Sequence, residues 1–391
     1  MHISALLSFL VLLALVWFFF WIRNSGRVQV LIPGRTIFDF LGGKENSLYY
    51  WAHWKYGLSG HLNSYGSHKC NKNPYRPRRE SFIGADGGEF SVDWFDAPDT
   101  SQLKPDTPIV VLVHGVNGGS SETWLQKMGI RLSDKEGYRV CCLILRGCCG
   151  SRVTTMRSYN GGYTEDLHIL LEILALRHPQ SSIAVLGYSL GGNLVAKYFG
   201  ERNSKFRPFL EYAHLKDAKP IPANVKCGAS ICCPYNLEII DKHLSHENQL
   251  MVAKGFEKYF HRHREIFSKH PNFATFEQNL GKQEFREIDA LLNSNFFQFP
   301  DVKTFYRDSS CSHYLDGIQH PFLFISCEND PMSILEAFPK QELLAAPDNV
   351  GALLVKGGGH VGMFSFADTT KTFDEELLVK FLEYHILGKS E

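Results

Sequence analysis

Six short runs in this chain are apolar at almost every position, and their spacing limits what it can fold into. They are residues 108–113 (PIVVLV), 138–145 (YRVCCLIL), 182–186 (SIAVL), 225–233 (VKCGASICC), 321–327 (PFLFISC) and 352–356 (ALLVK). A run without polar alternation suits a strand covered on both faces. Helical stretches at 121–135, 164–177, 190–201 and 333–344 separate the runs. Strand and helix in alternation predict an α/β chain, with a mostly parallel central sheet and helices on both faces. Residues 234–320 break the rhythm with candidate helices at 237–246 and 249–267 and the aromatic stretch NSNFFQFPDVKTFYRDSS. An insertion placed before a core strand reads as a helical cap over the carboxyl ends of the strands.

Residues 3–22 (ISALLSFLVLLALVWFFFWI) hold no charge, and Ser4 and Ser8 are their only polar members. Twenty residues at 1.5 Å each reach about 30 Å, the depth of a bilayer core. Trp17 and Trp21 flank three phenylalanines at the exit, where amphipathic rings favour the headgroup zone, and Arg23 follows at once. A cleaved signal peptide would have a shorter apolar region ending in small residues. The expected division is a transmembrane anchor over 1–25, a membrane-proximal linker and extension over 26–80, and a catalytic body over 81–388. Arg23, Arg27, Arg35 and Lys44 lie beyond the span, and by the positive-inside rule they favour a cytosolic body.

Lys plus Arg and Asp plus Glu both number 41, so no net positive charge draws this chain to nucleic acid. Ten cysteines include the adjacent pairs Cys141/Cys142, Cys148/Cys149 and Cys232/Cys233, two of them inside apolar runs, which reads as buried thiols rather than a disulfide scaffold. No C-x-x-C occurs, so a zinc ribbon has no support. The absence of any N-x-[ST] acceptor argues weakly against a luminal body. His243/His246 and His261/His263 lack a third ligand at helical spacing and read as a solvated face.

The sharpest motif is Gly187-Tyr188-Ser189-Leu190-Gly191-Gly192, placed between the run IAVL and the helical run NLVAKYFGE. Strand, tight turn and helix would lift Ser189 off the top of the sheet in a strained conformation, at a helix amino end that favours negative charge. Ser189 is the expected nucleophile. A serine alcohol needs a base, and the base needs an acid to hold its tautomer. Asp330 follows the strand PFLFISC and His360 follows ALLVK, both at carboxyl ends of strands. Glu328 rivals Asp330, but Asp330 precedes Pro331 and sits deeper in the turn. His320 and His385 lie away from that face. The oxyanion hole is expected from the Leu190 amide and, by position in the loop His114-Gly115-Val116-Asn117-Gly118-Gly119, from the Val116 amide.

Five stretches, LVHGVNGGSSETWL, LRGCCGSRVTTMRSYNGGYTEDL, GYSLGGNLVAKYFGE, FISCENDPMS and GGGHVGM, together resemble the membrane-anchored α/β-hydrolases of AB hydrolase family 4. That family is related to YheT-like bacterial hydrolases and to yeast ethyl-ester synthase/esterases. The likeness spans roughly residues 45–388. It implies an α/β-hydrolase fold, an amino-terminal anchor, a triad falling on Ser189, Asp330 and His360, and hydrolysis of lipid esters by acylglycerol lipases and phospholipases. It also implies a single-pass protein of the endoplasmic reticulum or another endomembrane, with the body on the luminal or outer side, which opposes the charge count. The acyltransferase box H-x-x-x-x-D of some members is absent, because none of the 17 histidines has an Asp five residues on.

The expected activity is that of a membrane-anchored serine esterase or lipase needing no metal or cofactor, with a lipid ester as substrate and the bilayer as partner through residues 3–22. Three alternatives stay open. An acyltransferase or a peptidase would use the same triad, and a non-catalytic receptor on this fold would normally have lost one of its members.

Overall fold

The structure, a computed structural model, describes residues 2–32, 34–69, 75–95, 103–279 and 284–388. Cys70 lies outside them.

The apolar runs form strands, and packing of their side chains on both faces explains their lack of polar alternation. The strands are β1 (Gly26–Arg27), β2 (Gln29–Leu31), β3 (Tyr49–Tyr50), β4 (Arg78–Ile83), β5 (Glu89–Trp94), β6 (Ile109–Val113), β7 (Arg139–Ile144), β8 (Ile183–Tyr188), β9 (Val225–Ile231), β10 (Phe322–Cys327) and β11 (Val350–Val355). Nine of them make one sheet in the order β2-β11-β10-β9-β8-β6-β7-β5-β4. The six from β11 to β7 run parallel, whereas β2 on one side and the pair β5-β4 on the other are antiparallel edges. Strands β6, β8, β10 and β11 are buried along their whole length. β1 and β3 pair separately.

The helix α1 (His2–Arg23) is exposed along its apolar length. α2 (Gly60–Lys69) lies in the segment expected as a linker, which also contributes β2 to the sheet. The helices α3 (Thr123–Ile130), α4 (Glu165–Arg177), α5 (Leu190–Gly200) and α6 (Ala213–Lys216) alternate with the central strands. The insertion between β9 and β10 carries α7 (Leu237–His243), α8 (His246–Arg262), α9 (Arg264–Phe267), α10 (Phe273–Asn279), α11 (Phe285–Phe296) and α12 (Val302–Ser309). His243, His246 and His261 are exposed, but His263 is half-buried and its Nε2 bonds the Gly147 carbonyl at 2.8 Å. The helix expected over 333–344 is instead a 3-10 turn at Leu335–Ala337 and the short α13 (Lys340–Ala345). Pro339 explains the break, since it holds Phe338 extended and brings no N–H to continue a helix. α14 (Phe373–Leu387) closes the body.

All nine described cysteines are free thiols, and only Cys149 is partly exposed.

Candidate active site

Ser189 stands between β8 and α5 with φ at 54°, a left-handed conformation that is rare for a residue with a side chain. The turn is held by the Ser189 N–H on the Ile231 carbonyl of β9 at 2.8 Å, while the Ser189 carbonyl accepts from Gly192 and Asn193. A Cβ on Gly191 would overlap the Val113 and His114 carbonyl oxygens, so only glycine lets α5 start this close to β6. The strain lifts the serine hydroxyl away from its own helix.

The structure brings Ser189, Asp330 and His360 together. His360 Nε2 lies 2.8 Å from Ser189 Oγ, and His360 Nδ1 lies 2.9 Å from Asp330 Oδ2 and 3.1 Å from Oδ1. Both partners of the serine are buried, Asp330 at 4% exposure and His360 at 9%. Asp330 Oδ1 also accepts the N–H groups of Met332 and Ser333, so the carboxylate cannot turn without losing two backbone bonds. Glu328 is drawn elsewhere. It takes a hydrogen bond from Gln29 on β2 and pairs with Lys356 at 2.9 Å. His320 packs edge-on against Phe199, and His385 packs tilted against Phe381, both away from Ser189.

Val116 and Leu190 line a cavity beside Ser189. Among the described residues neither backbone N–H is bonded to another group of the protein, which leaves two donors at the serine. His114 secures the first of these loops. Its Nδ1 lies 2.7 Å from the Gly115 carbonyl, and its Nε2 accepts the Leu145 N–H at 3.0 Å. Both ring nitrogens are thereby committed to a neutral tautomer, and full burial pushes the imidazole down to about 4. Tyr159 completes the loop by accepting the Asn117 N–H and donating to Asn117 Oδ1.

The cavity runs from Ser189 into the cap. Leu237, Ile240, Leu244, Val252, Phe256, Leu292 and Phe305 supply an apolar wall. Asp289 interrupts it. Its carboxyl accepts from Asn293 Nδ2 at 2.8 Å, and burial pushes it up to about 7. The cap is tied to the core where Tyr259 donates to the Arg146 carbonyl at 2.8 Å. Arg146, 1% exposed, holds Asp86 and Asp166 in turn, with bonds of 2.7 to 2.8 Å.

Cys232 Sγ lies with the Asp330 and His360 donor atoms within 4.8 Å of one another, a spacing that could hold a metal ion. The chemistry does not fit. A metal needs the thiolate, whereas the Cys327 thiol and burial push Cys232 well up, and His360 Nδ1 is already engaged by Asp330.

Sequence reasoning missed His114, Arg146, Asp289 and the role of α2. His114 and Arg146 were within reach, because a His before the glycine-rich loop and a lone Arg at the end of an apolar strand are both unusual. Nothing local marks Asp289.

Residues 108–364 match the family described as alpha/beta hydrolase fold. The chain is similar to an abhydrolase domain-containing protein of Dictyostelium discoideum, 29% identical over 82% of this chain and 78% of that one. It is also similar to human phospholipase ABHD3, 30% identical over 75% of this chain and 68% of the relative. A third relative is the monoacylglycerol lipase of Saccharomyces cerevisiae, 25% identical over 72% of this chain and 61% of the relative.

Proposed function

The chain belongs to the α/β hydrolase fold family, and from that premise we propose a membrane-anchored serine hydrolase that cleaves carboxylic esters of lipids through an acyl-enzyme on Ser189. Among its relatives are enzymes named lipase and phospholipase, and it is a carboxylic ester hydrolase of that type. One observation carries the mechanism, the unbroken contact from Ser189 Oγ through His360 to Asp330 at 2.8 and 2.9 Å.

His360 Nε2 takes the Ser189 proton as Oγ attacks the ester carbonyl, and Asp330 holds the Nδ1 proton in place throughout. The Val116 and Leu190 N–H groups receive the oxyanion, and being fixed on the backbone before reaction they cost little reorganisation. His360 returns the proton to the leaving alcohol, and water then enters by the same route to release the acid. The apolar wall of the cap suits an acyl chain.

The anchor reading is supported by the way α1 is held. Trp17 and Trp21 donate their indole N–H groups to the Trp54 and Ala52 carbonyls at 2.9 and 2.7 Å, and a cleaved leader would have no use for such bonds.

The test is labelling with a fluorophosphonate probe, together with hydrolysis of a panel of lipid esters, for the full chain and for Ser189→Ala. Labelling and turnover should vanish in the variant, and equal labelling of both forms would remove Ser189 as nucleophile. Extraction of membranes with alkaline carbonate tests the anchor, since release of the intact chain would refute it.

A further inference from the structure

The end of α1 reaches the loop that carries His360. Asn24, the first residue beyond the helix, is buried, and its Oδ1 accepts a hydrogen bond from Asn329 Nδ2 at 2.7 Å. Asn329 stands immediately before Asp330, and its own Oδ1 accepts the Gly359 N–H, immediately before His360, at 2.9 Å. One side chain therefore ties the loop of the acid to the loop of the base, and Asn24 grips that side chain from outside the sheet. Asn24 is in turn fixed by donating to the Phe20 carbonyl inside α1 at 2.8 Å and to the Leu58 carbonyl at 3.1 Å.

A second contact converges on the same loop from α2, where Ser64 Oγ accepts the His360 N–H at 2.8 Å. The fit there is close, since a Cβ on Gly60 would overlap the Asn329 carbonyl oxygen. A flexible tether would need none of these bonds. The His360 backbone is held by α2, its N–H by Ser64 and its carbonyl by the Ser67 hydroxyl, rather than by its own sheet.

We propose that Asn24 and Asn329 are positioning residues for His360, so that the foot of the apolar helix is a working part of the catalytic scaffold. The inference rests on the serine-hydrolase reading. Its effect passes through the 2.8 Å contact between His360 and Ser189. A displacement of about 1 Å in such a contact can cost on the order of 100-fold in rate.

The experiment uses the full chain in detergent micelles and a soluble short-chain p-nitrophenyl ester, which reports chemistry without requiring a lipid surface. Asn24→Ala and Asn329→Ala should each lower kcat by about tenfold or more with KM within about twofold, because the loss falls on alignment rather than on binding. The two residues act in series, so the double variant should be no slower than the worse single one. Asn24→Asp keeps the oxygen that receives Asn329 but sets a second oxygen against the Phe20 and Leu58 carbonyls, so it should recover part of the kcat lost in Asn24→Ala. A purely structural role would lower the melting temperature and leave kcat per folded molecule unchanged. Wild-type kcat in Asn24→Ala, multiplied losses in the double variant, or an Asn24→Asp loss equal to that of Asn24→Ala would each overturn the proposal. If Asn329→Ala does not fold, the two Asn24 variants decide alone. Absence of Ser189-dependent turnover in the wild-type chain would instead sink the hydrolase reading.

Discussion

Replacing Asp330 by Asn exchanges one oxygen for a nitrogen, and the structure says where the new NH2 must point. Asp330 Oδ1 accepts the Met332 and Ser333 N–H groups at 2.8 and 2.9 Å, and Oδ2 lies 2.9 Å from His360 Nδ1. An Asn that keeps its oxygen on the backbone side satisfies both N–H groups and turns its NH2 toward His360. The flipped rotamer would face two buried donors with a third, at a cost of roughly 1–3 kcal/mol for each donor left unpaired. The unflipped one therefore wins. His360 Nδ1 must then accept instead of donate, and the ring proton moves to Nε2, the atom 2.8 Å from Ser189 Oγ. An imidazole already protonated there cannot take the serine proton. In a Ser-His-Asp enzyme this tautomer error costs about 10⁴ in kcat, or about 5.5 kcal/mol of barrier. The assay is kcat and KM on a short-chain p-nitrophenyl ester, with thermal melts, for wild type, Asp330→Asn and Glu328→Gln. KM and melting temperature should barely move in Asp330→Asn. Glu328→Gln should keep wild-type turnover, because Glu328 is engaged by Gln29 and Lys356. Asp330→Asn within tenfold of wild type, or an equal loss in Glu328→Gln, would refute the assignment.

Two further perturbations probe stability. The folded chain keeps His114 neutral down to about 4, so the unfolded chain binds that proton first, and stability falls as pH drops from about 6.5 toward 4. His114→Gln should remove up to about 3 kcal/mol of that acid sensitivity, read as the difference in melting behaviour between pH 7 and pH 4.5; an unchanged difference refutes it. Arg146→Met leaves the buried Asp166 and the partly exposed Asp86 without their cation and should cost about 3–5 kcal/mol in denaturant unfolding. A loss under about 1 kcal/mol would mean that the ion pairs do not hold the cap seat.

The alternation of strand and helix was legible because each apolar run announces its own burial, and the six central strands fall within a residue or two of those runs. The outer strands β2, β4 and β5 were not, since three to six residues that mix apolar with polar positions carry too weak a pattern. The helix expected over 333–344 failed for a local reason, the proline at its middle, which apolar content had outweighed.

The chain's own order of residues determined the elbow at Ser189, the apolar amino-terminal helix, and the candidacy of Asp330 and His360, because these depend on turn chemistry and periodicity within a few neighbours. Only the tertiary structure decided that Glu328 faces β2 and Lys356, that His114 locks the loop of Val116, and that Asn24 reaches Asn329 from 305 positions away. Hydrogen bonds between segments so distant along the chain leave no trace in local pattern. They exist because the sheet's strand order brings β2 beside β11 and folds the foot of α1 over the loops that follow β10 and β11.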